Sequence, residues 1–299
     1  SFEDYVERGI MAAMNAVSAI CGGNKIHAVG YCIGGTLLSV AAASMARDGD
    51  DRLQSVSLFA AQVDFTEAGE ITRFISASQL SFLEKIMWKR GYLGSENMGG
   101  AFSALRASDL IYAGMVERYL MGNESQPNDL MSWNADGTRM PYQMHSEYLE
   151  KLYLNNELAT NKFTVGGRVV SISDITVPMF VLGTETDHVA PWKSVYKVAG
   201  LTHNELTFAL TSGGHNAGVV SGPQHPRRRY RLHQRNPGDN YTDPDTWMVE
   251  MEPNQGSWWP AWSAWLDART SKTIAPPTLG AARRGYKALR DAPGEYVFG

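Results

Sequence analysis

The stretch KIHAVGYCIGGTLLSVAAASMARDG, residues 25–49, constrains the fold more than any other part of the chain. Ile26, Ala28 and Val29 form an apolar run that ends at Gly30 and reads as a short buried strand. Gly30-Tyr31-Cys32-Ile33-Gly34-Gly35 then leads into small and apolar residues that suit a packed helix, with Gly49 beyond its end. Strand, sharp turn and helix in this order make a nucleophile elbow. The strained turn lifts one side chain above the sheet, and glycines on both sides spare it clashes with neighbouring backbone. Cys32 holds that position. The amide of Ile33 and the positive end of the helix dipole favour a thiolate and a developing oxyanion there. A G-x-C-x-G pattern also suits a small buried cysteine beside a Gly-rich turn, so the rest of the chain has to decide.

With 299 residues and 43% hydrophobic content the chain can bury a substantial core. A formal net charge of -4 argues against a general nucleic-acid binder. The basic run HPRRRYRLHQR at 225–235 reads as a solvated face or a site for an anionic cofactor. Cys21 and Cys32 are the only cysteines, which excludes a disulfide framework. Without His at ligand spacing they make only a weak case for zinc, so no metal is expected, and a reducing cytoplasm fits. No apolar run reaches membrane-spanning length, and SFEDYVERGIMAAMNAVSAI reads as an amphipathic helix rather than a signal peptide.

Three further strands follow the elbow: RLQSVSLFAAQVDF (52–65), the start of VPMFVLGTETDHVAPW (177–192), and the start of ELTFALTSGGHNAG (205–218). Helical patterns between them predict parallel strands with crossover helices, in which loops beyond the carboxyl ends of strands carry the site. Asp64, Asp187 and His215 lie on such loops, as Cys32 does. Residues 67–173, rich in Met, Trp and Tyr at helical spacing, predict a cap inserted between two core segments, 1–66 and 174–299. Cys21 reads as a helix-end residue at the end of the sheet opposite the site, and the Pro/Gly-punctuated tail from Thr270 as a surface segment.

A thiol nucleophile needs a base, and the base needs a carboxylate to hold it. Cys32, Asp187 and His215 stand in the chain order of nucleophile, acid and base found in the α/β-hydrolase fold, each after a predicted strand. His188 is a rival base, but adjoining Asp187 in sequence it is poorly placed to accept orientation from that residue while reaching Cys32. Asp64 is an alternative orienting carboxylate or a helix cap. Asp64, His188 and Arg106 remain candidates for substrate contacts, Arg106 because a fixed cation in the cap suits an anionic cofactor.

GYCIGG, DHVAPW, SGGHNAGV and GSWWPAW, in this order and spacing, resemble the catalytic region of polyhydroxyalkanoate synthases, most like the class I type. DLMSWN and LYLNNEL in the insertion and APGEYV near the end extend the resemblance over nearly the whole chain. It implies an α/β-hydrolase fold and an acyltransferase that joins (R)-3-hydroxyacyl groups from coenzyme A thioesters into a growing polyester chain. Cys32, Asp187 and His215 would be nucleophile, acid and base, with Asp187 also assisting the attacking 3-hydroxyl. Coenzyme A would come and go with the substrate, with no bound cofactor. The resemblance further implies a mobile cap with dimer contacts, hence a homodimer, and residence in the cytoplasm at polyester granule surfaces. It also implies strands before the elbow, one followed by a loop with a second oxyanion donor, and an N-terminal domain. The sequence starts at the helix before the elbow strand, so a C-terminal piece of a longer protein is expected. Two other readings stay open: a cysteine-dependent thioesterase or hydrolase, and a non-catalytic granule binder docking through GSWWPAWSAW.

Overall fold

A computed structural model describes residues 1–97, 100, 115–123, 129–271 and 273–295. The N-terminal amphipathic stretch is helical, as Phe2–Asp4, a π-helical Tyr5–Met11 and Ala12–Ile20. It leads into a six-stranded sheet of β1 (Ile26–Tyr31), β2 (Leu53–Phe59), β3 (Met179–Thr184), β4 (Leu206–Thr211), β5 (Arg229–Arg235) and β6 (Asn254–Gln255), ordered as numbered. The first four run parallel, and β5 and β6 pair antiparallel. β3 and β4 are buried along their whole length, which is why they read as continuous apolar runs rather than alternating ones.

The strand expected over 52–65 stops at Phe59, because Ala60 takes a positive φ of 46° and turns the chain out of the sheet. The basic run contains β5, an edge-ward strand of mixed exposure: Arg229, His233 and Gln234 face solvent, while Tyr230, Arg231, Leu232 and Arg235 are half-buried. Leu232 pairs with Ala209, while Arg229 and Arg231 hold Glu185 and Arg235 donates to the carbonyls of Thr202 and Asn204. Arginines at alternating positions masked the strand period in the sequence.

Between β2 and β3 the described insertion includes the helices Ala77–Trp88 and Tyr142–Glu147, the second continuing as a π-helix over Tyr148–Leu154. Its end is stapled to the loop that follows β2. Asn156, at φ 47°, donates from Nδ2 to Asp64 Oδ1 at 3.1 Å and accepts at Oδ1 from the Phe65 amide at 3.0 Å. Beyond Thr270 the chain is largely irregular, with Leu279 and Leu289 exposed. No described helix is long and apolar enough to cross a membrane.

The elbow depends on a close approach of β1 to the helix Ile33–Arg47. A Cβ on Gly30 would stand 2.5 Å from Gly35 Cα, and one on Gly35 would stand 2.4 Å from Ala61 Cβ. A Cβ on Gly34 would meet nothing within 4 Å, so the second tight glycine is Gly35 rather than the Gly34 of the G-x-C-x-G pattern. Gly35→Ala should therefore cost about 1–3 kcal/mol or more of stability through overpacking, while Gly34→Ala should cost nothing. Urea unfolding of the two variants measures the difference.

Candidate active site

Cys32 sits at the top of β1 with φ 54° and ψ -129°, a strained conformation for any residue with a Cβ. The elbow is fixed on both sides. The Cys32 amide donates to the Phe59 carbonyl of β2 at 2.9 Å, and the Cys32 carbonyl accepts from the amides of Gly35 and Thr36. Ile33 is the first residue of the helix, so its amide has no intrahelical acceptor and belongs to the positive end of the helix.

Asp187 and His215 come from the loops after β3 and β4. His215 Nδ1 lies 2.7 Å from Asp187 Oδ2. An ionised carboxylate can only accept, so Nδ1 carries the proton and Nε2 is left for Cys32, whose side chain hydrogen-bonds the same ring. The Asp187 side chain has no solvent exposure, and four hydrogen bonds occupy its two oxygens. Oδ1 accepts from the amides of Val189 and Ala190, and Oδ2 from the Thr184 hydroxyl and His215. His188 follows Asp187 but does not supply the ring that bonds it. Asp64 is turned away from this chain of bonds: its Oδ1 accepts from the amide and hydroxyl of Thr66 and from Asn156. Arg106 lies outside the described residues.

Burial disfavours the imidazolium of His215, but the hydrogen bonds to Asp187 and Cys32 and their negative charges outweigh it and raise its pKa to about 10. Tyr31, beside Cys32 in sequence, stacks on the imidazole with ring centroids 5.2 Å apart. Its hydroxyl donates to the His215 carbonyl at 3.0 Å and also touches Asn216 Oδ1. Burial, and then the charges of Cys32 and Asp187, push the Tyr31 phenol up, so it stays a neutral donor.

The aromatic motif after β6 packs behind the His215 loop. Ser257 Oγ donates to the Ser221 carbonyl, Trp258 Nε1 to that of Gly218 and Trp259 Nε1 to that of Val219. Trp262 Nε1 bonds Ser57, and Trp265 is buried against Phe180. The indole N–H groups of Trp258, Trp259 and Trp262 thus serve the core and the loop, while the Trp259 ring stays partly exposed. From the insertion, Tyr148 and Tyr153 meet edge to face at 5.3 Å, with Phe65 4.7 Å from Tyr153. Burial first, and then the charges nearby, Cys32 among them, raise both phenols, Tyr153 to about 12.

Tyr31, Thr184 and the two tyrosines of the insertion were not singled out by sequence reasoning. The signals available were proximity alone: Tyr31 adjoins Cys32, Thr184 precedes Asp187 by three residues, and Tyr148 and Tyr153 flank one π-helical turn. Among the described residues no group of three or more His, Cys, Asp or Glu side chains could hold a metal ion.

Residues 4–221 match the family described as alpha/beta hydrolase fold. The chain belongs to that family. Its relatives include the poly(3-hydroxyalkanoate) polymerase subunit PhaC of Rhizobium meliloti, 38% identical over 99% of this chain and 47% of the relative. The poly(3-hydroxyalkanoate) polymerase of Methylorubrum extorquens is 36% identical over 99% of this chain and 48% of the relative. The PhaC subunit of Cupriavidus necator is 34% identical over 99% of this chain and 51% of the relative. The chain spans about half the length of these curated relatives.

The opposing influences on His215 give a signed prediction. Its ring should remain protonated at pH 8 and lose the proton near pH 10. Asp187→Asn and Cys32→Ala should each lower that value, and loss of both should take it below the ordinary 6.5, because burial then acts alone. A nitrogen-15 NMR titration of the histidine side chains measures all four states.

Proposed function

We propose that the protein is an acyltransferase that polymerises (R)-3-hydroxyacyl-coenzyme A into polyhydroxyalkanoate and releases coenzyme A. The observation that carries this reading is a thiol at the strained elbow, hydrogen-bonded to an imidazole that a buried carboxylate holds, in a chain related to poly(3-hydroxyalkanoate) polymerases. The thiol suits the chemistry. Moving the acyl group from coenzyme A to Cys32 exchanges one thioester for another at almost no free-energy cost, so the group stays activated for attack by a hydroxyl. A serine ester would lose that activation.

His215 holds the Cys32 proton as an imidazolium beside the thiolate, and the thiolate attacks the thioester carbonyl while the Ile33 amide stabilises the oxyanion. The carbonyl reforms, the bond to coenzyme A breaks, and the imidazolium returns the proton to the departing thiolate. In elongation His215 deprotonates the attacking 3-hydroxyl, whose oxygen forms the new ester as the bond to Cys32 breaks. The bonding of Asp187 favours one duty for it. Its oxygens carry four hydrogen bonds and no exposure, so reaching a substrate hydroxyl would break one of those bonds. Asp187 orients His215 for both steps, in place of the assistance to the hydroxyl that the resemblance implies.

Exclusion of water by the insertion decides between transfer to a hydroxyl and hydrolysis. A homodimer, and residence in the cytoplasm at the granule surface, belong to the same proposal. Phe82, Trp88, Tyr119 and Leu120 of the insertion offer exposed apolar surface for such contacts.

Incubation with (R)-3-hydroxybutyryl-coenzyme A tests the function. Coenzyme A should be released together with insoluble polymer, and release without polymer would make the protein a thioesterase. Cys32→Ala should lower release roughly a thousandfold or more. Asp187→Asn should slow the first acylation and the later additions alike in rapid-quench labelling, and selective stalling after the first acylation would return the hydroxyl to Asp187. Cys21→Ala should keep full activity, because Cys21 caps the helix that precedes β1 and stands at the opposite end of that strand from Cys32.

A further inference from the structure

The His215 loop is held by a side chain that the reaction above does not use. Arg228, half-buried immediately before β5, sends its whole guanidinium into residues 212–221. Nη1 donates to the Ser212 carbonyl at 3.1 Å, Nη2 to the Ala217 carbonyl at 2.6 Å, and Nε to Ser221 Oγ at 3.0 Å. These acceptors bracket His215 in sequence, one before it and two after. The contact is close enough to exclude a side chain at Gly213, φ 109°, whose Cβ would stand 2.5 Å from Nη1.

We infer that Arg228 is a positioning residue for His215: its planar fork fixes the curvature of the 212–221 loop and thereby the reach of the imidazole to Cys32. The strands on either side do not need it. β4 and β5 are paired through Thr211 and Tyr230, and the Ser212 amide closes on the Arg229 carbonyl at 2.9 Å without help from the guanidinium. What Arg228 adds goes to the loop alone. A guanidinium satisfies two carbonyls and a hydroxyl in fixed directions, and charge-assisted bonds of this kind are stronger than neutral ones. A lysine ammonium on a flexible stem cannot span the same acceptors. The Arg228 carbonyl accepts from the Gly256 amide at 2.7 Å, so the same residue ties the loop to the Ser257-Trp258-Trp259 segment that grips its far side.

The inference rests on the catalytic reading of His215, and the test separates the two. The probe is the rate of Cys32 alkylation by iodoacetamide across pH, with melting followed in parallel. In Arg228→Met the rate at pH 7 should fall roughly ten- to hundredfold, as expected for a base displaced by about an ångström, and converge on that of the parent above pH 10. Arg228→Lys should fall between the two, and it carries the test should Arg228→Met fail to fold. A folded variant that melts earlier but keeps the parent's pH profile would reduce Arg228 to a structural role and overturn the inference. If His215→Gln itself leaves the profile unchanged, the catalytic reading of His215 falls and the positioning role falls with it.

Discussion

The close approach of β1 to the helix that follows it governs the rest of the structure. Gly30 and Gly35 touch backbone to backbone, and this contact allows the chain to reverse within one residue at Cys32. The reversal leaves Cys32 in a sparsely populated conformation that costs on the order of 1–3 kcal/mol, held by bonds from its amide to β2 and from Gly35 and Thr36 to its carbonyl. It also puts the thiol at the first turn of a fifteen-residue helix, where the dipole favours negative charge. A parallel sheet then places the loops after β3 and β4 beside it, with Asp187 and His215.

Electrostatics inside the site follow from which groups are satisfied. Asp187 is buried and accepts from two amides, a hydroxyl and an imidazole, so its charge is fixed in place and directed at His215. His215 is the member with opposing influences: burial works against its charge, while Asp187 and Cys32 favour it. Tyr31 adds a stacked ring and a bond to the backbone of the same residue. The imidazole is therefore restrained through its ring, its carbonyl and its loop, while its other nitrogen bonds the thiol.

The parts legible in the sequence were those set by local pattern. The elbow, the four parallel strands and the chain order of Cys32, Asp187 and His215 follow from apolar runs, glycines and turn residues acting over short distances. What stayed hidden depends on packing between distant segments. β5 was obscured because Arg229, Arg231 and Arg235 spend their charge on Glu185 and on backbone carbonyls, contacts that sequence cannot show. Asp64, on a strand-end loop as a site residue would be, instead binds Thr66 and Asn156 and anchors the insertion. Gly34 matched the motif, yet Gly35 makes the tight contact, a distinction of one residue that only the helix geometry settles.

The central claim is that acyl groups pass through a thioester on Cys32 activated by His215. Peptide mapping by mass spectrometry, after quenching the protein within milliseconds of mixing with (R)-3-hydroxybutyryl-coenzyme A, tests it most directly. The account predicts one hydroxyacyl unit on the peptide that contains Cys32, labile to hydroxylamine, and much slower labelling of that peptide in His215→Ala. Coenzyme A release at the full rate with Cys32 unmodified, or with the acyl group on another residue, would contradict it.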